Sequence, residues 1–238
     1  MKKAIIIGAT SGIGRKLADI LAENGCRVGI TGRRSGLLEE AEKAHPGRIV
    51  PESFDITDRE ATSESLERLA LQLGGIDLLV ISSGTGDLNP TLDFDTEKGA
   101  IDTNVTGFTQ VAGWAFRYFE QQGYGHLAAI TSVGGLRGSP EAPAYNASKA
   151  YQINYLEGLR KKASLLHLPI TITDIRPGLV GTAMAKGEGL FWVMPVEKAT
   201  RQIFSAIKRE KSVAYVTRRW GMVAMILRLL PRRLYNRI

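Results

Sequence analysis

Seven short apolar runs alternate with longer amphipathic stretches from one end of this 238-residue chain to the other. The runs cover 5–7, 27–31, 48–54, 77–82, 127–132, 170–175 and 213–217, and their largely unbroken apolar character suits strands buried on both faces. The stretches between them, 13–24, 37–44, 59–73, 97–121, 144–167 and 196–209, read as helices. A helix in each gap supplies the right-handed crossover that parallel neighbours need. The expected fold is therefore α/β, a doubly wound parallel seven-stranded sheet forming one domain over 1–217. Residues 218–238 are expected to extend it as a basic amphipathic tail.

Composition narrows what such a domain does. Hydrophobic content of 44% and charged content of 23% are ordinary for a globular protein. The net charge of +7 is concentrated, because Arg218, Arg219, Arg228, Arg232, Arg233 and Arg237 fall in a tail with no acidic residue. Without those six the body carries only about +1, which argues against a nucleic-acid surface. Cys26 is the sole cysteine, so no disulfide forms within the chain, as suits a reducing cytoplasm, and it reads as a packing residue. His45, His126 and His167 lack metal-ligand spacing, and no metal site is expected. The apolar run after Lys2 and Lys3 stops at Gly8, too soon for a signal peptide, and no run is long enough to span a membrane.

The first strand leads directly into Gly8-Ala9-Thr10-Ser11-Gly12-Ile13-Gly14, which opens the first helix. Glycines there let the backbone approach a pyrophosphate whose charge meets the positive helix N-terminus. The second strand ends Thr31-Gly32-Arg33-Arg34, where a site for NAD would want an acid on the adenine ribose. Arg33 is read as pairing with a 2′-phosphate, making NADP(H) the expected cofactor, whereas Arg34 also fits a solvated surface role. Asp55, in Phe54-Asp55-Ile56-Thr57-Asp58, either contacts the adenine or, like Asp58, caps the next helix.

Tyr145 and Lys149 lie one helical turn apart, and Ser132 precedes the tyrosine by thirteen residues. A phenol with a pKa of about 10 is a poor proton carrier at neutral pH, and a neighbouring cation lowers that value. Lowering it by three units takes roughly 4 kcal/mol, for which the lysine and a bound cofactor charge would act together.

These residues together resemble the short-chain dehydrogenase/reductase family over most of 1–217, and the resemblance implies a Rossmann-like fold. Gly8, Gly12 and Gly14 match its glycine turn, and Ser132, Tyr145 and Lys149 match its serine and Tyr-x-x-x-Lys. Asn104 matches an asparagine in the preceding long helix, and Pro177-Gly178-Leu179-Val180-Gly181-Thr182 matches the segment touching the nicotinamide. The resemblance implies Tyr145 as proton donor, Ser132 on the carbonyl oxygen, Lys149 on the nicotinamide ribose, and Asn104 placing a relay water towards Lys149. It further implies cofactor contacts at Ser83, Gly84, Pro177, Gly178, Val180 and Thr182, and a homodimer or homotetramer built on the long helices. The expected activity is NADPH-dependent reduction of a ketone or aldehyde. The oxidative direction and a non-turnover scaffold are its alternatives.

Two departures stand out. Ile7 replaces a usual threonine, and Ile81-Ser82-Ser83-Gly84 replaces Asn-Asn-Ala-Gly, which leaves an apolar Ile7–Ile81 contact and no orphaned donor. Segment 178–195 is expected to form a flap whose Phe191, Trp192 and Met194 either meet an apolar substrate or close the core. In the tail, positions 222, 225, 226, 229 and 230 share one helical face. That face either packs on the domain, lies on the inner surface of an anionic membrane, or covers an active site.

Overall fold

The computed structural model describes residues 2–185 and 191–237. Its seven strands are β1 (Lys3–Ile7), β2 (Arg27–Gly32), β3 (Ile49–Ser53), β4 (Leu78–Ile81), β5 (Gly125–Ile130), β6 (Ile170–Pro177) and β7 (Val213–Val216). They form one sheet in the order β3-β2-β1-β4-β5-β6-β7, and every neighbouring pair is parallel. The order reverses between β1 and β4, so the crevice beyond their carboxyl ends is where such a sheet places a ligand.

Alternation along β1 shows why its apolar run is continuous. Ile5 and Ile7 enter a core with Leu79 and Ile81 of β4, α3 (Arg59–Leu73) and α5 (Phe108–Gln122). Ala4 and Ile6 face the opposite core, with α1 (Gly12–Glu23), α2 (Ser35–Ala44) and α7 (Val196–Lys208). Each face of the sheet is thus covered by helices, and both sets of β1 side chains are fully buried. Cys26 belongs to the second core, and burial pushes its thiol pKa up, as fits a packing residue.

The stretch 97–121, read from sequence as one helix, is built in three pieces: α4 (Phe94–Ile101), a π-helical turn Asp102–Gly107, and α5. The widened turn carries Asn104. α6 (Pro143–Leu165) presents Tyr145 and Lys149 to the crevice. The tail forms α8 (Arg218–Leu229) and α9 (Arg232–Tyr235). Trp220 and Ala224 of α8 are buried with Val133, flanked by Val223, Leu227 and Tyr215. Of the positions that share a face in the sequence, Met222, Met225, Ile226 and Leu229 point outward, so of the three expected uses packing on the domain is not the one seen. No described helix is long and apolar enough to cross a membrane.

Candidate active site

The crevice at the β1–β4 switch is a cleft of about 1200 Å³. Gly8, Thr10, Ser11, Gly12 and Ile13 line it from the glycine turn, and Arg33, Asp55 and Ile56 from the ends of β2 and β3. Ser83 and Gly84 follow β4, and Pro177, Gly178, Val180 and Thr182 come from beyond β6. Ser132, Tyr145 and Lys149 stand in the same wall. Gly14 and Asn104 lie behind it. A Cβ on Gly14 would sit 2.1 Å from the Gly8 carbonyl oxygen.

The glycine turn has the form an anion needs. Gly8 adopts φ +84°, and a Cβ there would lie 2.6 Å from the Ser83 backbone, so only glycine brings the two loops together. α1 begins without a side-chain cap and without an acid in its first turn. By contrast, Asp58 caps α3 and Asp93 caps α4. The first turn of α1 thus opens on the cleft with its dipole uncompensated, which fits a dinucleotide pyrophosphate.

At the adenine end the structure redistributes the two arginines. Arg33 is largely exposed and lies 3.4 Å from Asp55. Arg34 is the fixed one: its guanidinium donates to Thr10 Oγ1 at 2.5 Å and to Ser11 Oγ at 2.8 Å, directly over the turn. Arg34 is nevertheless exposed, as its surface role supposed. Partial burial opposes ionisation of Asp55, but the Thr57 N–H and hydroxyl, with Arg33, hold its carboxyl below the usual value. Asp58, not Asp55, caps α3.

The reacting groups share one buried corner. Tyr145 hydrogen-bonds Ser132, whose Oγ also accepts the Gly134 N–H at 2.9 Å. Burial raises the Tyr145 pKa above its ordinary value, and the Ser132 contact offsets only part of that. The lowering by Lys149 expected from the sequence is thus not a property of the chain alone; its ammonium lies 5.8 Å from the centre of the tyrosine ring. Lys149 Nζ donates to Ile130 O and Gln152 Oε1, each at 3.0 Å. Burial brings its pKa down to about 8, against the opposing pull of Asp174. Asp174 is itself buried, paired with Arg176 and holding the Thr131 hydroxyl at 2.6 Å beside Ser132.

Asn104 is fully buried beside the cleft. Its side chain accepts from the Thr85 N–H at 2.9 Å and donates to Thr85 O at 2.7 Å and Ser148 Oγ at 3.0 Å, tying the loop after β4 to α6. Its backbone carbonyl accepts from Gln152 Nε2 at 2.9 Å. Gln152 thus links the Asn104 carbonyl to Lys149 Nζ, a partner the sequence analysis did not name. A signal was present: Gln152 lies three residues after Lys149 on the same helical face.

Gly86 was also missed. A Cβ there would fall 2.2 Å from Cδ2 of the Tyr145 ring, so this glycine lets the phenol lie against the loop after β4. Gly86→Ala is expected to push the ring aside and lower kcat about a hundredfold. Steady-state rates at matched cofactor occupancy check this; an unchanged kcat would contradict it.

Ile7 and Ile81 are register partners in neighbouring strands and fully buried, as the sequence implied. Neither side chain carries a polar atom, so that contact orphans none. Among the described residues, Ser83 Oγ and Trp220 Nε1 are buried without a hydrogen-bond partner. Phe191 and Trp192 do not line the cleft; they pack against Trp220 from outside, with ring centres 5.6 and 6.3 Å away. Met194 joins the core beneath, closing a short ladder with Leu179 and Gly181. The remainder of the expected flap, 186–190, lies outside the described residues.

A family model described as short chain dehydrogenase matches residues 2–190. An uncharacterized oxidoreductase of Myxococcus xanthus is 36% identical over 185 residues, covering 75% of this chain and 72% of that protein. Another, from Mycobacterium tuberculosis, is 30% identical over 247 residues, covering 99% and 96%. A 3-ketoacyl-(acyl-carrier-protein) reductase of Brucella melitensis, solved with NADH, has a TM-score of 0.81 at 18% identity over 90% of this chain and 96% of its own. A short-chain type dehydrogenase/reductase of Mycobacterium ulcerans has a TM-score of 0.81 at 21% identity, covering 100% and 98%. At those identities the structural likeness speaks for the fold alone. The matched model, spanning most of the chain, decides the assignment: the protein belongs to the short-chain dehydrogenase/reductase family and is an NAD(P)-dependent oxidoreductase.

Proposed function

We propose that this protein reduces a ketone or aldehyde to an alcohol with NADPH, Tyr145 giving the proton. The observation that carries the reading is the corner where Ser132, Tyr145 and Lys149 meet in the cleft wall. The bound nicotinamide supplies the hydride. Tyr145, kept protonated by burial, starts as a donor, which suits reduction better than oxidation. As its proton leaves, Lys149 is the nearby cation that opposes the growing negative charge, and at about 8 its own pKa keeps it mostly charged at neutral pH. Ser132 donates to the carbonyl oxygen as charge grows there. Gln152 and the Ile130 carbonyl hold two of the lysine's three N–H groups, leaving one for the cleft.

The preference for NADPH rests on Gly32 standing where an acid would serve NADH, with Arg33 and Arg34 beside it. Thr10, Ser11 and Arg34 together form a donor cluster suited to a 2′-phosphate. Replacing Arg33 and Arg34 by alanine is expected to raise the Kd for NADPH about ten- to a hundredfold and leave NADH within about threefold. Fluorescence titration checks this, and equal losses would contradict it. Asp55 and Ile56 would flank the adenine, and Gly84, Pro177, Gly178, Val180 and Thr182 the nicotinamide half. Assembly as a homodimer or homotetramer through α5 and α6, in the cytoplasm, with 218–238 at the inner face of a membrane, belongs to the same reading.

The test is NADPH oxidation across a panel of aliphatic, aromatic and long-chain ketones and aldehydes. Turnover of at least one compound is expected. Tight NADPH binding with no turnover of any would favour a scaffold instead.

A further inference from the structure

α8 is apolar on two sides. Trp220, Val223, Ala224 and Leu227 face the domain, and Trp220 and Leu227 line the cleft. Met222, Met225, Ile226 and Leu229 recur at i, i+3, i+4 and i+7 on the other side, each 58 to 76% exposed. Phe191, Trp192 and Leu234 are also at least half exposed, and the two aromatic rings adjoin α8 through Trp220. Apolar side chains grouped on one face belong in a buried setting, and the outer group on this helix lacks it.

The helix is held firmly in this pose. Arg137 donates to the Leu227 and Leu230 carbonyls at 2.8 and 2.5 Å, satisfying the C-terminal end of α8. Its guanidinium also lies over the Tyr235 ring, whose hydroxyl donates to Gly138 O. The outward face is therefore presented by the fold and is not a frayed end.

Charge selects the occupant. Arg219, Arg228, Arg232, Arg233 and Arg237 are exposed around this face, and no acidic residue follows Glu210. A second copy meeting it about a two-fold axis would bring the same cations together, which is repulsive. An anionic lipid surface takes up the apolar side chains and neutralises the arginines at once. We propose that the outer face of α8, with α9 and the Phe191–Trp192 pair, is a docking surface for anionic membrane lipid. This deepens the tail's contact in the preceding reading. If that reading holds, the element meeting lipid is also a wall of the cleft, which favours a carbonyl substrate partitioned into the bilayer.

The experiment is sedimentation of the whole chain with vesicles, either phosphatidylcholine alone or a mixture of two parts phosphatidylcholine to one part phosphatidylglycerol. Wild type is expected to pellet with the mixed vesicles and not the neutral ones, and to be released as salt rises. Arg228→Gln with Arg232→Gln and Arg233→Gln should weaken binding about a hundredfold, near fivefold per arginine. Ile226→Asp with Leu229→Asp should abolish it while circular dichroism and NADPH affinity stay unchanged. Failure of wild type to pellet with mixed vesicles, or equal pelleting with neutral ones, overturns the proposal. So does a fall in oligomer mass of the Ile226→Asp, Leu229→Asp protein by analytical ultracentrifugation, which would assign the face to a second copy. Vesicle capture needs no turnover, so its failure and failure of the reductase reading are told apart.

Discussion

Replacing Tyr145 by phenylalanine is expected to lower kcat about a thousandfold and leave NADPH affinity within about threefold. The ring should stay where it is, because it rests against Gly86 and beside Lys149, and the substitution removes only the hydroxyl. Ser132 keeps its bond from the Gly134 N–H, so the loop that carries it has no reason to move. What disappears is a proton donor at the carbonyl oxygen, and unpositioned water is a poor substitute for a positioned acid. Pre-steady-state rates with isotope-labelled cofactor, alongside equilibrium NADPH titration, separate the two effects. Retained turnover would remove Tyr145 from the mechanism. A parallel loss of NADPH affinity would make it a binding residue.

The second large effect concerns Lys149. Lys149→Met should reduce kcat about 10²- to 10³-fold, since the cation that lies beside the Tyr145 ring is lost. It should also change how the cofactor-free protein responds to pH. The unfolded lysine keeps its proton up to 10.5, whereas the folded one releases it near 8. Below 8 both states hold the proton, and burial of the charge is a constant penalty. Between 8 and 10.5 the unfolded state holds more protons, so stability rises with pH, by about 3 kcal/mol in total. Wild type should therefore gain about that much relative to Lys149→Met across this window, as urea unfolding of both proteins would measure. A flat difference would show that the ammonium is solvated, and its role against the phenolate would weaken with it.

Much of this was legible in the chain, for reasons that differ from residue to residue. The central strands were visible because Ile5 to Ile7 of β1 and Leu78 to Ile81 of β4 are buried on both faces, leaving no polar alternation to confuse with a helix. The glycine turn, Tyr145 and Lys149 could be read because fixed spacing on one element converts directly into geometry. The π-helical turn at Asp102–Gly107 was not, since one extra residue per turn leaves the apolar pattern of 97–121 nearly intact. Gln152 and Asp174 escaped because their importance comes from what they meet on other elements, the Asn104 carbonyl and the Thr131 hydroxyl. The use of the tail's apolar face stayed open because both sides of α8 are apolar, and only packing distinguishes Trp220 and Ala224 from Met225 and Leu229.

The corner built from Ser132, Tyr145 and Lys149 also explains why no other described group competes for the chemistry. The described residues contain no cluster of histidine, cysteine and carboxylate side chains suited to a metal. His126, pushed down to about 4 by burial and hydrogen-bonded to Thr173, stays neutral in the interior. Cys26 sits in the core behind β2, away from the cleft lining.

The account stands on hydride passing to a carbonyl carbon held in this cleft. Incubating the protein with NADPH deuterated at the transferable C4 position and a ketone from the panel, then weighing the alcohol by mass spectrometry, reads that event directly. The expected product carries one deuterium on the former carbonyl carbon and forms one-for-one with oxidised cofactor. Cofactor oxidation that leaves the alcohol unlabelled, or the ketone unconsumed, would contradict it.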